Sequence, residues 1–281
     1  MKNLIKSPLN YVGGKYKLLP QILPLFPENI NTFYDVFAGG GNVGVNINAK
    51  QVVFNDTEEV VIDLMKDLSN INSLEALEIL KATIHKYQLS KTNEQGFKQI
   101  REDYNGGNKS WNMFYAMLTN SFNYQIRFNQ NGGYNMPFGR DRSWFNPTLE
   151  KNFVAFVDRL NEIKPLFGKH DFRKLKDCEF KDNDFLYCDP PYLITTASYN
   201  EQGGWTEQDE KDLLEFLDYL HSINIKFTLS NVLESKGKSN DILKEWSNKY
   251  NTNYLHKNYS NSNYQRKDND KKDIEVLITN Y

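Results

Sequence analysis

A doubly wound α/β sheet interrupted by a mainly helical insertion is the architecture this sequence of 281 residues predicts. Three observations carry that expectation. Short apolar runs stop abruptly in a glycine-rich turn, a strand-end acid or a pair of prolines, as in "YDVFAGGG", "QVVFND" and "DFLYCDPPY". Strands and helices alternate at both ends of the chain, which is the pattern of crossover units feeding a parallel sheet. Between the two ends, from Thr57 to Thr119, apolar residues recur every three or four positions and the strand signal is lost.

In chain order, the first strand is expected over Phe33–Phe37, running into glycines and then a helix, and the second at "QVVFND". Helices follow in "EEVVIDLMKDL", "SLEALEILKATIHKY" and "KSWNMFYAMLT". The stretch "NSFNYQIRFNQNGGYNMPFGRDRSWFNP" is rich in Asn, Gly and aromatics, and its Asn131-Gly132-Gly133 turn suits a hairpin. "PTLEKNFVAFVDRLNEIKPLF" returns to helical spacing, and "DFLYC" is a buried strand. A helix with Thr206 as N-cap carries Leu213, Phe216, Leu217 and Leu220 along one face. The strand "IKFTLSN", the helix "SNDILKEWSNKY" and the strand "IEVLITNY" complete the chain. Residues 1–56 and 149–281 are expected to form one domain, with 57–148 inserted into it.

Hydrophobic residues make up 39% and charged residues 25%, the composition of an ordinary soluble domain. No apolar run has the length of a membrane span, and the opening "MKNLIKSPLNYVGGK" lacks the apolar stretch of a signal peptide. Cys178 and Cys188 have no metal-ligand spacing, so no metal is expected, and a reduced thiol suits the cytoplasm. The net charge of −2 does not announce a nucleic-acid binder, but its distribution is uneven. Between Asn105 and Thr148 four basic residues (Lys109, Arg127, Arg140, Arg142) face one acid, Asp141, and between Glu234 and Lys272 nine basic residues face five acids. Such segregation suits either a phosphate-binding face or solvated helix surfaces.

Three stretches carry chemistry. Glycines after a strand, in "DVFAGGGNVG", allow positive φ and close backbone approach, which serves a tight turn and a cofactor loop equally. The next strand-end acid, Asp56, stands 17 residues past Gly39. An acid near that spacing accepts ribose hydroxyls in nucleoside-binding folds, and the alternative is that it caps the following helix. In "LNYVGGKYKLLP", Gly13-Gly14 makes a tight turn before Lys15, which either meets a cofactor carboxylate or is a solvated surface lysine. The third stretch is Asp189-Pro190-Pro191-Tyr192. Prolines cannot continue a strand, and the end of a parallel strand is where open sheets bind ligands. If the substrate is the exocyclic amino group of a base, Asp189 and the Pro190 carbonyl can each accept one N–H. That pulls the nitrogen towards tetrahedral geometry and frees its lone pair for attack on a methyl group. Consecutive prolines hold the carbonyl rigidly and Tyr192 offers a flat face for stacking. No strong base is needed, so Asp189 is expected to have an ordinary pKa.

The ordered set "GGK", "DVFAGGG", "FND", "DPPY" and "LSN", with "YNMPFGR" and "EVLITNY", resembles the Dam-type DNA adenine-N6 methyltransferases. The resemblance runs from residue 7 to 281. It implies a Rossmann-like methyltransferase sheet with an inserted target-recognition domain, S-adenosylmethionine as cofactor and double-stranded DNA as substrate. By that likeness Tyr11, Gly13 and Lys15 touch the methionine part of the cofactor. Asp35, Phe37, Ala38, Gly39 and Gly40 lie beneath it, and Asp56 binds its ribose. Asp171 bonds its amino group while Phe172 stacks on its adenine. Asp189, Pro190, Pro191 and Tyr192 form the catalytic loop, Asp189 also bordering the cofactor. In the insertion, Arg127 reads a guanine from the loop bearing Asn123, and Asn135 and Arg140 meet phosphates. Here the chain departs from members that read GATC. Asn123-Tyr124-Gln125-Ile126 precedes Arg127 where those members carry Asn-Gly, and Asp141-Arg142-Ser143-Trp144 replaces the aromatic that follows their second arginine. The target is therefore GATC or another adenine-containing site, and a cognate restriction endonuclease is a candidate partner. Methylation of RNA or of protein glutamine, and a silent DNA-binding relative, are the competing functions.

Overall fold

The computed structural model describes residues 3–11, 13–195, 204–256 and 273–281. The chain opens with α1 (Leu19–Ile22), β1 (Thr32–Asp35) and β2 (Gln51–Asn55). Five helices follow: α2 (Glu59–Leu68), α3 (Ser73–Lys86), α4 (Glu94–Asn105), α5 (Trp111–Leu118) and α6 (Pro147–Ile163). Then come β3 (Leu166–Gly168), β4 (Phe185–Cys188), α7 (Glu207–Ser222), β5 (Lys226–Ser235) and β6 (Lys238–Ser239). The last elements are α8 (Asp241–Ser247), β7 (Asn251–Leu255) and β8 (Ile274–Thr279). The chain divides into two compact units. One comprises Met1–Gly14, Gly39–Asn46 and Glu58–Phe167, the other Lys15–Ala38, Ile47–Thr57 and Gly168–Tyr281.

The second unit is built on a mixed sheet in the order β3-β2-β1-β4-β5-β8-β7, with β6 folding back on β5. β1 pairs in parallel with β2 and with β4, and β4 with β5; β8 is antiparallel to both β5 and β7. From β1 the chain moves outwards to β2, then returns to the other side of β1 at β4. The strand order thus reverses between the carboxyl ends of β1 and β4, which is where an open sheet leaves a crevice. All four residues of β4 are buried, and α7 lays Leu213, Phe216, Leu217 and Leu220 into a core with Leu186, Phe227, Leu229, Val276 and Ile278. Thr206 caps α7 through a reciprocal capping box with Asp209.

The first unit is mainly helical. Ala76 and Leu80 of α3, Phe97 and Ile100 of α4, Phe114 and Met117 of α5, and Phe153, Phe156 and Leu160 of α6 are among its buried residues. The abundance of asparagine has a local cause. Asn72, Asn93 and Asn146 cap α3, α4 and α6 here, as Asn240 caps α8 in the other unit, each side chain accepting a backbone N–H.

Several boundaries differ from the sequence expectation. The first strand ends at Asp35, and Phe37 lies in the turn beyond it. The helix expected through Phe167 stops at Ile163, because Lys164 adopts a left-handed conformation (φ 44°) before Pro165 and a short strand, β3. β5 runs on to Ser235 across an irregularity near Val232 and Glu234, α8 is shorter than its pattern, and β7 is an additional strand. The Asn131-Gly132-Gly133 hairpin reduces to two isolated bridges, Phe128 with Tyr134 and Ser121 with Phe138. Lys257, Arg266, Lys267, Lys271 and Lys272 of the basic carboxyl-terminal stretch lie outside the described residues. Among the described residues no helix is long and apolar enough to cross a membrane, and no group of His, Cys, Asp and Glu is arranged to hold a metal.

Candidate active site

β1 and β4 deliver their carboxyl ends side by side, Asp35 opposite Tyr187. β4 then ends in Asp189, with Pro190 buried, Pro191 exposed and Tyr192 half-buried. Without an N–H, neither proline can pair with a neighbouring strand, so the chain leaves the sheet here. Asp189 is gripped from two sides. Its Oδ2 lies 2.7 Å from the Lys15 ammonium and its Oδ1 accepts the Tyr192 hydroxyl at 3.1 Å. The same ammonium is 3.8 Å from Glu275 Oε1 and 5.0 Å above the Tyr192 ring, and the Tyr192 hydroxyl also lies 3.4 Å from Glu275 Oε1.

Two expectations change here. Lys15 is only 4% exposed, so it is not the solvated lysine of a surface turn. Nor does Asp189 keep an ordinary pKa. Burial raises it and the nearby Glu275 raises it further, and the opposing pull of Lys15 and Tyr192 does not cancel this. Glu275, 2% exposed, was not singled out from the sequence. The signal was present, since an acid interrupts the apolar run "IEVLIT" of a buried strand.

Beyond β1 and β2 the same unit carries the other expected residues. Asp35 is buried at the end of β1, and the buried Ala38 donates its N–H to Asn55 O at 2.9 Å. Asp56 directly follows β2, its N–H bonded to Gly168 O at 3.3 Å. The N-cap position of α2 belongs to Glu58, two residues on, whose side chain makes no capping hydrogen bond. Phe37, Phe172 and Trp205 form a three-ring cluster, with centroids 5.7, 5.7 and 5.8 Å apart. Phe172 is buried at 3%, whereas Phe37 and Trp205 are half-buried. Asp171 is exposed and caps the 3-10 turn over Phe172–Asp177, its Oδ1 accepting the Arg173 N–H at 2.9 Å, and it pairs with the Arg173 guanidinium.

Sequence reasoning also missed Trp205 and the residue that holds it. Its indole N–H donates to Glu210 Oε2 at 2.6 Å, and Glu210 Oε1 accepts from Asn231 at 3.1 Å and Asn240 at 2.8 Å. Glu210 is fully buried, and burial raises its pKa. It stands three and seven residues before Leu213 and Leu217, on the apolar stripe of α7, and that placement was the available clue.

In the first unit, Tyr11 packs on the glycine loop. Gly39 has φ 47°, and a Cβ on it would fall 2.8 Å from the Tyr11 ring; one on Gly40 would meet the Leu9 carbonyl at 3.2 Å. Gly13, at φ 82°, opens a turn closed by the Gly14 N–H on Tyr11 O. Gly39 is thus required both by its left-handed φ and by the Tyr11 ring, and Gly13 by its φ alone.

The loop in the same unit holds the four remaining residues. Asn123 and Tyr124 are both left-handed (φ 54° and 55°), and the Asn123 carbonyl accepts from Asn10 at 2.8 Å. Arg127 and Asn135 are brought together across the Phe128–Tyr134 bridge. Arg127 Nε donates to Asn135 Oδ1 at 2.8 Å and Nη2 to Asn135 O at 2.9 Å. Arg140 stands apart from that pair, bound to Glu94 and lying over the Phe138 ring. Phe122 and Trp144 are exposed aromatics of the same unit, with Arg142 over Phe122.

The chain is similar in sequence to known proteins. The chain is 46% identical over 281 residues to the type II methyltransferase M.FokI of Planomicrobium okeanokoites, and 44% identical over 286 residues to the modification methylase StsI of Streptococcus sanguinis. These alignments cover 99% and 100% of this chain but 43% of each relative, so the chain spans less than half the length of either protein. A DNA adenine methylase of Vibrio cholerae is 28% identical over 222 residues, covering 75% of both chains. The sequence profile of the D12 class N6 adenine-specific DNA methyltransferases matches residues 11–270. With that match running through both the glycine turn after β1 and the DPPY loop after β4, the chain belongs to the D12 class of N6 adenine-specific DNA methyltransferases.

Proposed function

We propose that this chain transfers a methyl group from S-adenosylmethionine to the N6 amino group of an adenine flipped out of duplex DNA, at a specific site. The observation that carries the proposal is the Asp189–Lys15–Tyr192–Glu275 cluster at the point where the strand order reverses. The relatives' names, a type II methyltransferase, a modification methylase and a DNA adenine methylase, support DNA as substrate, and the first two favour a restriction-modification setting with a cognate endonuclease.

The residues present fit the cofactor. Asp56 supplies a carboxylate for a ribose diol, the Phe37–Phe172–Trp205 cluster supplies flat apolar walls for a purine, and Lys15 supplies a cation for a carboxylate. In the same unit Asp35 and Ala38 border the turn after β1, with Asp171 a hydrogen-bond acceptor for the adenine amino group; Tyr11, Gly13, Gly39 and Gly40 are assigned to the cofactor on the family resemblance alone. S-adenosylmethionine, when bound, supplies an electrophilic methyl. The chain does the rest. Tyr192 stacks the extruded base and offsets part of the unstacking cost of a few kcal/mol. Asp189 and the Pro190 carbonyl, held by Pro191, accept the two amino N–H groups and leave the nitrogen lone pair free for in-line attack. The amino nitrogen so directed would take the methyl while the bonding electron pair stays with the cofactor's sulfur, and the amino proton would leave afterwards. Its acceptor is Asp189, whose raised pKa suits it to that step.

The helical residues 57–148 act as the target-recognition domain, and 1–56 with 149–281 as the catalytic domain. Arg127 reads a guanine, Asn123 shapes its loop, and Asn135 and Arg140 contact the backbone. The deciding experiment is transfer of labelled methyl to unmethylated genomic DNA, followed by mass spectrometry of the nucleosides. N6-methyladenine is expected. A protein that binds the cofactor yet leaves no methylated nucleoside refutes the proposal and directs the search to RNA or protein glutamine.

A further inference from the structure

The Tyr192 hydroxyl has one proton to donate and two carboxylates within reach, Asp189 at 3.1 Å and Glu275 at 3.4 Å. We infer that Glu275 is a positioning residue that takes the Tyr192 hydroxyl when substrate enters, leaving an oxygen of Asp189 for the adenine amino group. The inference rests on the methyl-transfer function proposed above.

Both oxygens of Asp189 are engaged in the structure, Oδ2 by Lys15 and Oδ1 by Tyr192. Each has a second lone pair, but an amino N–H that shares Oδ1 with the tyrosine meets an acceptor whose charge is already partly spent. Rotation of the phenol O–H towards Glu275 ends that sharing without moving the ring on which the base would stack. Both acceptors are carboxylates, so the exchange replaces one charge-assisted hydrogen bond with another of similar strength. Lys15 lies against both, at 2.7 and 3.8 Å, and its charge is balanced in either arrangement.

The placement of Glu275 supports the assignment. Every residue from Glu275 to Thr279 is buried in β8, where an apolar side chain would be the cheaper choice. Because β8 runs antiparallel to β5, with Glu275 opposite Val232, the start of β8 lies beside the later half of β5. A carboxylate one turn of pleat further along, opposite Asn231 or Ser230, would fall at the position of Val276 or Leu277 instead.

The test is a double-mutant cycle on methyl transfer from S-adenosylmethionine to unmethylated DNA. Glu275→Gln keeps the shape but offers the hydroxyl only a neutral, weaker acceptor, so the hydroxyl stays on Asp189. It should lower kcat by about tenfold or more while the cofactor Kd and the DNA KM change by less than about twofold. In a Tyr192→Phe background, where there is no hydroxyl to move, the same change should alter kcat by less than about twofold. Glu275→Leu, which suits a buried strand, should give the same pattern and serves if the glutamine variant does not fold. An equal fall in kcat in both backgrounds, an unchanged kcat, or a loss confined to KM overturns the inference. If the wild type itself transfers no methyl to DNA, the proposed function fails first and the inference falls with it.

Discussion

Replacing Lys15 with methionine removes the single cation from a buried cluster and has a calculable consequence. Its ammonium lies 2.7 Å from Asp189 and 3.8 Å from Glu275, and the residue is 4% exposed. At an effective dielectric of about 20 those separations correspond to attractions of about 6 and about 4 kcal/mol. Burying the ammonium costs several kcal/mol of that sum, a cost that methionine, of similar length and apolar, does not carry. The substitution leaves two carboxylates near each other with no cation between them, so a net loss of about 3–5 kcal/mol is expected at neutral pH. The direction of the pH dependence follows from Asp189. Its folded pKa is raised by burial, and Lys15 is the main influence pulling it down. In the variant it rises further. The folded state then holds more protons than the unfolded state between about 3.9, the ordinary aspartate value, and the raised one. Stability therefore falls as pH rises through that window and is regained as pH is lowered into it. Urea unfolding of wild type and variant, followed by far-UV circular dichroism at several pH values, measures both effects. A deficit below about 1 kcal/mol, the size of an exposed pair, or one that does not shrink on acidification, would refute the reasoning.

Asp189→Ala should leave cofactor binding largely intact, as measured by calorimetry, and lower the rate of methyl transfer by at least about a hundredfold; equal turnover would remove Asp189 from the mechanism. Gly39→Ala places a Cβ against the Tyr11 ring at a left-handed φ, and a loss of about 1–3 kcal/mol should appear in the same unfolding assay. Glu210→Leu strands two buried donors, on Asn231 and Asn240, and a half-buried one on Trp205, and should cost about 3 kcal/mol or more while shifting indole fluorescence to the red. Arg127→Ala should weaken discrimination at one base pair by about 1–3 kcal/mol in methylation of a substitution library; a uniform loss over all sequences would make Arg127 a phosphate contact.

What the sequence disclosed and what it hid have separate physical causes. Strands buried on both faces, β4, β5 and β8, are legible from their apolar residues, β1 and β2 from short runs that stop at a glycine turn or an acid, and α7 from its spacing and its Thr206 cap. β7 was not, because "NTNYL" lies at the sheet edge, is largely open to solvent and mixes polar residues without strict alternation. The overrun of α6 came from giving the apolar pair Leu166-Phe167 more weight than Pro165, which disfavours helix in the residue before it. Within the site, the catalytic tetrapeptide could be picked out because Pro-Pro at a strand end is locally unusual. Lys15 could not be told from a surface lysine, since its burial depends on partners at positions 189 and 275, brought to it only by the sheet. Glu210 and Glu275 were hidden for the same reason, and the clue in each case was a carboxylate standing where the pattern called for an apolar side chain.

Buried carboxylates do not all mean the same thing, and their position on the sheet separates them. Asp184, 2% exposed, lies at the amino end of β4, where its oxygens accept from Asn31, the Thr32 N–H and the Lys181 N–H at 2.9–3.0 Å. Three donors satisfy the charge with backbone and a neutral side chain, and they tie the entry of β4 to that of β1, a structural task. Glu275 is matched instead by a lysine and a phenol that belong to the candidate catalytic cluster. Glu210 holds a tryptophan of the aromatic cluster and the asparagine of the "LSN" stretch. A buried ion pair replaced whole by apolar packing costs little, whereas removal of one partner leaves the other uncompensated and costs several kcal/mol. Asp184 anchors strand entries by backbone contacts, whereas Glu210 and Glu275 fix the direction of side chains with a proposed role in binding and transfer. It follows that an apolar replacement should separate stability from turnover at Glu275, whose partners Lys15 and Tyr192 keep Asp189, whereas at Glu210 it strands three donors and costs stability directly.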